Sequence, residues 1–170
     1  METGRTDEAE KRALKLFVVL TRAEASVAEH ARRDIARHKL SVSEFAVLEL
    51  LYHKGAQPLG EIAGRILLTT GSVTYVIDQL EKQELVQRIP CPTDRRVCYA
   101  DLTEKGQERI QEIFPAHAER IRLAVAGLTA EEQETATALL KKLGLSAQEK
   151  LQTNQTTAKT AGQPKEPYNE

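Results

Sequence analysis

Residues 67–103, LLTTGSVTYVIDQLEKQELVQRIPCPTDRRVCYADLT, constrain the fold more than any other stretch of this chain. Val73, Val76, Ile77 and Leu80 fall at i, i+3, i+4 and i+7, the spacing of one buried helix face. Thr69 or Thr70 stands where that helix would be capped. Residues 85–90 (LVQRIP) and 97–102 (VCYADL) have β-type composition around a Pro-Thr-Asp turn. A helix is thus followed, with almost no linker, by a strand, a tight charged turn and a returning strand. That order describes a helix carrying a small β-wing.

The flanking sequence is helical throughout. Residues 7–39 contain no Pro or Gly and are rich in Ala, Glu, Arg and Leu, which favour one long helix. Leu14, Phe17, Val18, Thr21, Ala25, Ala28 and Ile35 form its stripe. A helix of that length exceeds what a small domain covers alone, so part of it is expected to pack on another chain. Ser41 and Glu44 match a capping box, opening a short helix with Phe45, Val47, Leu48, Leu51 and Tyr52 that ends at Gly55. Pro58 marks the next helix start, with Leu59, Ile62, Ala63 and Ile66 as its stripe. Three short helices joined by brief turns, counting the 70–83 segment, fit a helix-turn-helix. Thr103 is expected to cap a helix to about residue 126, with Pro115 inside it as a source of a kink. Thr129 and Glu132 form a second capping box. Residues 151–170 are polar and poor in apolar side chains, the composition of a disordered tail.

The fold expected is mainly α with a small β-wing, a winged helix-turn-helix between long flanking dimerisation helices. Its parts are an N-terminal dimerisation helix (1–40), the winged domain (41–103), C-terminal dimerisation helices (104–150) and the tail. Sparse aromatics and the absence of Trp leave a core of Leu, Ile, Val and Ala, which suits packed helices. No apolar run approaches the roughly 20 residues of a membrane helix, and the charged N-terminus lacks the apolar segment of a signal peptide. A cytoplasmic location and no membrane partner are expected.

The apolar stripe of the 70–83 helix leaves Ser72, Thr74, Tyr75, Asp78, Gln79 and Lys82 on the opposite side. Hydroxyls there can bond phosphates or base edges, and Gln79 suits an adenine edge. Tyr75 offers a flat apolar body for a thymine methyl and a hydroxyl for a phosphate. Arg95 and Arg96 sit at the wing tip, where a guanidinium oriented by Asp94 suits the negative potential of a narrow minor groove. The plainer alternatives are a solvated helix face and a surface ion pair that steadies a turn. Charge gives the double-stranded DNA reading little help. The net charge is −1, and residues 41–103 carry six Lys/Arg against eight Asp/Glu, so a bulk basic patch is missing. The reading rests on a few placed residues: Thr70, Ser72, Thr74, Tyr75, Gln79, Arg95 and Arg96, with Asp94 as orienter.

From Leu40 to Gly106 the chain resembles the MarR family of bacterial transcription regulators. LSVSEFAVLELL resembles the family's second helix and PLGEIAGRI its third. TTGSVTYVIDQLEKQELVQRIPCPTDRRVCYADLTEKG resembles its recognition helix, wing and the start of its fifth helix. The resemblance implies a homodimer that binds a palindromic operator, and it makes Arg96 the minor-groove arginine through the Asp-x-Arg pattern at Asp94. Many members have Arg where this chain has Tyr75, a departure that bears on base preference. The wording of ILLTTGSVTYVIDQLE and PCPTDRRV is similar to the branch that responds to quinones and phenolic electrophiles. Function is then expected as a repressor released by a small aromatic ligand or electrophile. The rival readings are a winged-helix protein-interaction module without DNA contact and a cysteine-based redox switch.

Cys91 and Cys98 both fall in the wing and are candidate redox residues, the alternative being small residues in a hairpin. Peroxide-sensing members use a cysteine in the first helix, and this chain has none before Cys91. His30, His38, His53 and His117 are scattered singly, without metal-site spacing. No P-loop, G-x-S-x-G, H-E-x-x-H or Gly-rich dinucleotide loop occurs, so no enzyme, metal or cofactor is expected.

Overall fold

The computed structural model of the protein describes residues 7–66, 70–94 and 96–161, with backbone alone at 70, 152 and 154–161. It divides into two compact units, residues 1–124 and 125–170.

In the first unit α1 (Glu8–Arg37) starts at Asp7, whose carboxylate accepts the Ala9 N–H at 3.3 Å. α2 (Val42–Lys54) opens on the expected capping box. Ser41 Oγ accepts the Glu44 N–H at 3.2 Å and Glu44 Oε2 accepts the Ser41 N–H at 2.8 Å, a device worth about 1 kcal/mol. Gly55, at φ 67, ends the helix, a left-handed backbone that Gly adopts without a Cβ penalty. α3 (Leu59–Arg65) and α4 (Thr70–Lys82) follow, then β2 (Val86–Pro90), β3 (Cys98–Leu102) and α5 (Glu104–Ala124), which contains Pro115. Thr69, one candidate cap of α4, lies outside the described residues, as does the side chain of Thr70.

A third strand, β1 (Gln57–Pro58), was not expected. It pairs antiparallel with β3 in the order β1-β3-β2, with Gln57 opposite Ala100 and Pro58 opposite Tyr99. Two residues carry no periodicity, and Pro58 reads as a helix start, a role it also fills as N-cap of α3. The wing hairpin pairs Val86 with Leu102 through Pro90 with Cys98.

The core of this unit joins Leu48 and Leu51 of α2, Ile62 of α3, Val73, Ile77 and Leu80 of α4, and Ile110 and Ile113 of α5, all fully buried. Each buried side chain of this size contributes roughly 1.5–3 kcal/mol relative to exposure. The α1 stripe behaves differently: Ile35 is buried, whereas Leu14, Phe17 and Val18 remain exposed, Phe17 at 65%.

In the second unit Thr129 and Glu132 form their expected box, at 2.8 and 3.3 Å, and open α6 (Ala130–Ala161). Leu139, Leu140, Leu143 and Leu145 are exposed on it. Over residues 151–161 a helix stands where a disordered tail is expected from the composition. α6 continues to Ala161, because LQTNQTTAKTA contains no helix breaker and each added residue only propagates an existing helix. Gly162 and Pro164 are the first breakers. Residues 162–170 lie outside the described residues.

Candidate nucleic-acid interface

α4 is held by its buried face. Val73, Val76, Ile77 and Leu80 point inward, while Ser72, Thr74 and Tyr75 are exposed and Gln79 is half-buried. Tyr75 is 65% exposed, an unusual placement for a large ring on a helix that has a core available. Beyond the C-terminal end of the helix, Gln83 donates from Nε2 to Glu44 Oε1 at 2.8 Å. Glu44 therefore serves the α2 cap with one oxygen and anchors the end of α4 with the other.

The start of α5 anchors the root of the wing. Thr103 Oγ1 donates to the Glu84 carbonyl at 2.6 Å and accepts the Gly106 N–H at 3.0 Å. The Leu85 carbonyl accepts the Thr103 N–H at 3.1 Å. Lys105 pairs with Glu84 at 2.8 Å, and chiefly this hydrogen bond, then the lysine charge, holds the Glu84 carboxyl below its usual range.

At the wing tip Asp94 holds Arg96 as the sequence suggested. Asp94 Oδ1 accepts the Arg96 backbone N–H at 2.9 Å and its Nε–H at 3.2 Å, and Oδ2 accepts Nη2–H at 3.3 Å. The Arg96 side chain is nevertheless 90% exposed. The guanidinium hydrogen bond, then that of the backbone N–H, hold the Asp94 carboxyl below the ordinary aspartate range. Arg95 lies outside the described residues.

Sequence reasoning missed the residue that ties wing to helix. Arg88, on β2, donates from Nη2 to Asp78 Oδ1 at 2.6 Å and from Nη1 to Glu81 Oε2, while its backbone N–H donates to Glu81 Oε1 at 3.2 Å. Partial burial by itself would lower the guanidinium. The hydrogen bond to Asp78 and the charges of Glu81 and Asp78 outweigh it and hold Arg88 above the usual arginine value. Asp78 and Glu81 stand at i and i+3 on α4, so one helix face presents both carboxylates. That spacing was visible in the sequence; the strand residue that would meet it was not.

The cysteines occupy the wing but not together. Pro90 and Cys98 are paired in register, and the Cys91 N–H donates to the Val97 carbonyl at 3.0 Å, so Cys91 and Cys98 alternate to opposite faces of the hairpin. Cys91 Sγ lies 3.3 Å from Thr93 Oγ1. Its thiol is held below the ordinary value by that hydroxyl first and by the N–H groups of Thr93 and Asp94 next.

His117, one of the scattered histidines, is buried with Asp34, Nδ1 to Oδ2 3.2 Å, and its ring centroid lies 4.3 Å from that of Phe45. Among the described residues no three His, Cys, Asp or Glu side chains gather as metal ligands, and no helix is long and apolar enough to cross a membrane. A groove of about 510 Å³ lies along Gln83, Leu85, Lys105, Glu108, Arg109 and Glu112. Its charged lining contrasts with the apolar walls usual for an aromatic ligand.

A family described as "MarR family" matches residues 40–98. The HTH-type transcriptional regulator MhqR of Bacillus subtilis (strain 168) is 50% identical over 139 residues, 82% of this chain and 96% of that protein. The solved structure of BpsR of Bordetella bronchiseptica, described for regulation of its DNA binding by 6-hydroxynicotinic acid, is 27% identical with a TM-score of 0.68, covering 76% of this chain and 98% of that one. Sco3205 of Streptomyces coelicolor, solved in complex with DNA, is 23% identical with a TM-score of 0.71, covering 85% and 91%.

Proposed function

Since the chain belongs to the MarR family and is a DNA-binding transcriptional regulator, we propose that it acts as a repressor, a homodimer seated on a palindromic promoter site. In this reading α4 enters the major groove and presents Thr70, Ser72, Thr74, Tyr75 and Gln79. Arg96, oriented by Asp94, enters the adjacent minor groove with Arg95 beside it. The observation that carries the reading is the pairing of two outward-facing devices on one small unit. One is a recognition helix whose polar residues and Tyr75 are exposed. The other is a wing arginine whose guanidinium and backbone N–H are both held by Asp94, yet whose side chain is 90% exposed.

Dimerisation is supported by apolar side chains that their own unit leaves uncovered. Leu14, Phe17 and Val18 of α1 are of this kind in the first unit, and Leu139, Leu140 and Leu143 of α6 in the second. Two copies related by a two-fold axis read half-sites about one helical turn, roughly 34 Å, apart. A small hydroxylated aromatic would release DNA by favouring a conformation in which the two recognition helices have the wrong spacing. The ligand-regulated DNA binding described for BpsR supports this part of the reading.

Selection from a pool of randomised duplexes by the full-length protein tests the proposal. The expected result is enrichment of an inverted repeat with half-site centres about 10 base pairs apart. Recovery of no enriched sequence would favour a protein-interaction module, consistent with the net −2 of residues 41–103.

A further inference from the structure

We infer that Arg88 is a positioning residue for DNA reading, a clamp that fixes the wing to α4 at the spacing needed for both to engage one duplex. The inference rests on the preceding proposal that α4 and Arg96 contact DNA.

The two reading devices are linked covalently by a turn of only three residues, since α4 ends at Lys82 and β2 begins at Val86. A short turn fixes where β2 starts, and Thr103 and the β1 pairing hold the hairpin's root and its β3 side, but neither ties β2 directly to α4. Arg88 makes that direct tie. Its guanidinium spans Asp78 and Glu81, one helical turn of α4, and Glu81 also grips the Arg88 main chain. The same strand residue is thereby held through its side chain and its backbone.

From the clamp to the wing tip the path is continuous. Arg88 pairs with Ala100, Ile89 with Tyr99 and Pro90 with Cys98. The Cys91 N–H then donates to Val97, the Val97 N–H to the Asp94 carbonyl, and Asp94 holds Arg96. At about 3.3 Å per strand residue, the clamp lies on the order of 10 Å from the turn. A small pivot at Arg88 would be magnified at Arg96.

Charge argues the same way. Asp78 follows Thr74 and Tyr75 by one helical turn, so its carboxylate lies close to the proposed reading face. Unpaired, Asp78 and Glu81 would bring two negative charges towards the phosphates. Arg88 halves that net charge. The guanidinium presents a planar fork of donors to the two carboxylates, a geometry that a lysine ammonium, a compact point charge, does not reproduce.

The test measures affinity of full-length protein for the duplex recovered by selection, using Arg88→Met, Arg88→Lys, Arg96→Ala and the double variants, each checked by thermal melting. Arg88→Lys keeps the charge and is the variant to rely on if Arg88→Met does not fold. The expected loss is about tenfold for Arg88→Met and about threefold or more for Arg88→Lys; the Arg88→Lys penalty, which leaves the charge unchanged, should shrink below about twofold in the Arg96→Ala background, whereas Arg88→Met should keep the part due to the unpaired carboxylates. Wild-type affinity for Arg88→Lys, or an Arg88→Lys penalty that multiplies in full with Arg96→Ala, would overturn the clamp alone. Wild-type affinity for Arg96→Ala would overturn the proposed wing contact, and the clamp with it.

Discussion

Nδ1 of His117 on α5 lies 3.2 Å from Oδ2 of Asp34 on α1, and both side chains are more than nine-tenths buried. Phe45 of α2 closes over the imidazole, and Arg120 Nε stands 4.0 Å from the other Asp34 oxygen. Three helices of the first unit therefore meet at a polar contact, and removing one partner leaves the other buried without its mate. Asp34→Ala is expected to cost about 1–3 kcal/mol. The double variant Asp34→Leu/His117→Phe should lie closer to wild type than either single change, since two apolar side chains replace the pair. Urea unfolding at one fixed protein concentration measures both.

Gly106 is fixed by contact rather than by backbone angle. A Cβ there would lie 1.9 Å from the Leu85 carbonyl oxygen and 2.8 Å from its carbon. Backbone cannot move aside as a side-chain end would. Gly106→Ala is expected to destabilise by about 2 kcal/mol or more and to weaken DNA binding by displacing the root of the wing. A melting temperature equal to that of wild type would refute the contact.

Lys39 turns the chain from α1 to α2 at φ 60, a left-handed conformation that costs a non-glycine residue about 1–2 kcal/mol. Its side chain is exposed. Lys39→Gly relieves the strain but loosens the unfolded chain, so a net gain of roughly 0.5–1 kcal/mol is expected, read as a higher urea midpoint.

Asp94 has its folded value depressed, first by the Arg96 guanidinium. The contribution of the pair is then complete above the unfolded aspartate value, near pH ~3.9, and is lost as pH falls through the folded value. Affinity changes between about pH 6 and pH 8 therefore owe nothing to Asp94. A carboxyl NMR titration should find its midpoint below that of an ordinary aspartate, and Arg96→Ala should raise it.

Cys91 should alkylate with iodoacetamide faster than Cys98, because the Thr93 hydroxyl and the loop N–H groups favour its thiolate. Peptide mass spectrometry resolves the two. Thr93→Val should slow Cys91 and leave Cys98 unchanged. If Cys91 acts as a sensor, benzoquinone should release wild type from the selected duplex and spare Cys91→Ser. Equal release of both would exclude that role.

What the sequence revealed follows the range of the interactions. The boxes at Ser41/Glu44 and Thr129/Glu132 span three residues and could be read directly, as could the stripe that orients α4 and the Asp94–Arg96 turn. Arg88 meets Asp78 and Glu81 across ten and seven residues, and His117 meets Asp34 across eighty-three. Such partners are chosen by the packed fold, and no local spacing announces them. β1 was hidden for the opposite reason: two residues are too few to carry a period. The continuation of α6 over 151–161 is not legible in composition, because a polar segment with no breaker before Gly162 can extend an existing helix.

The most direct test of the account is a footprint of the full-length protein on its selected duplex. Hydroxyl radicals read the minor groove and dimethyl sulfate reads guanine N7 in the major groove. Wild type should protect a major-groove tract in each half-site and a minor-groove tract beside it. Arg96→Ala should lose the minor-groove protection and keep the other. A footprint unchanged by Arg96→Ala, or one without major-groove protection, would contradict the assignment of α4 and the wing as the DNA-reading surface.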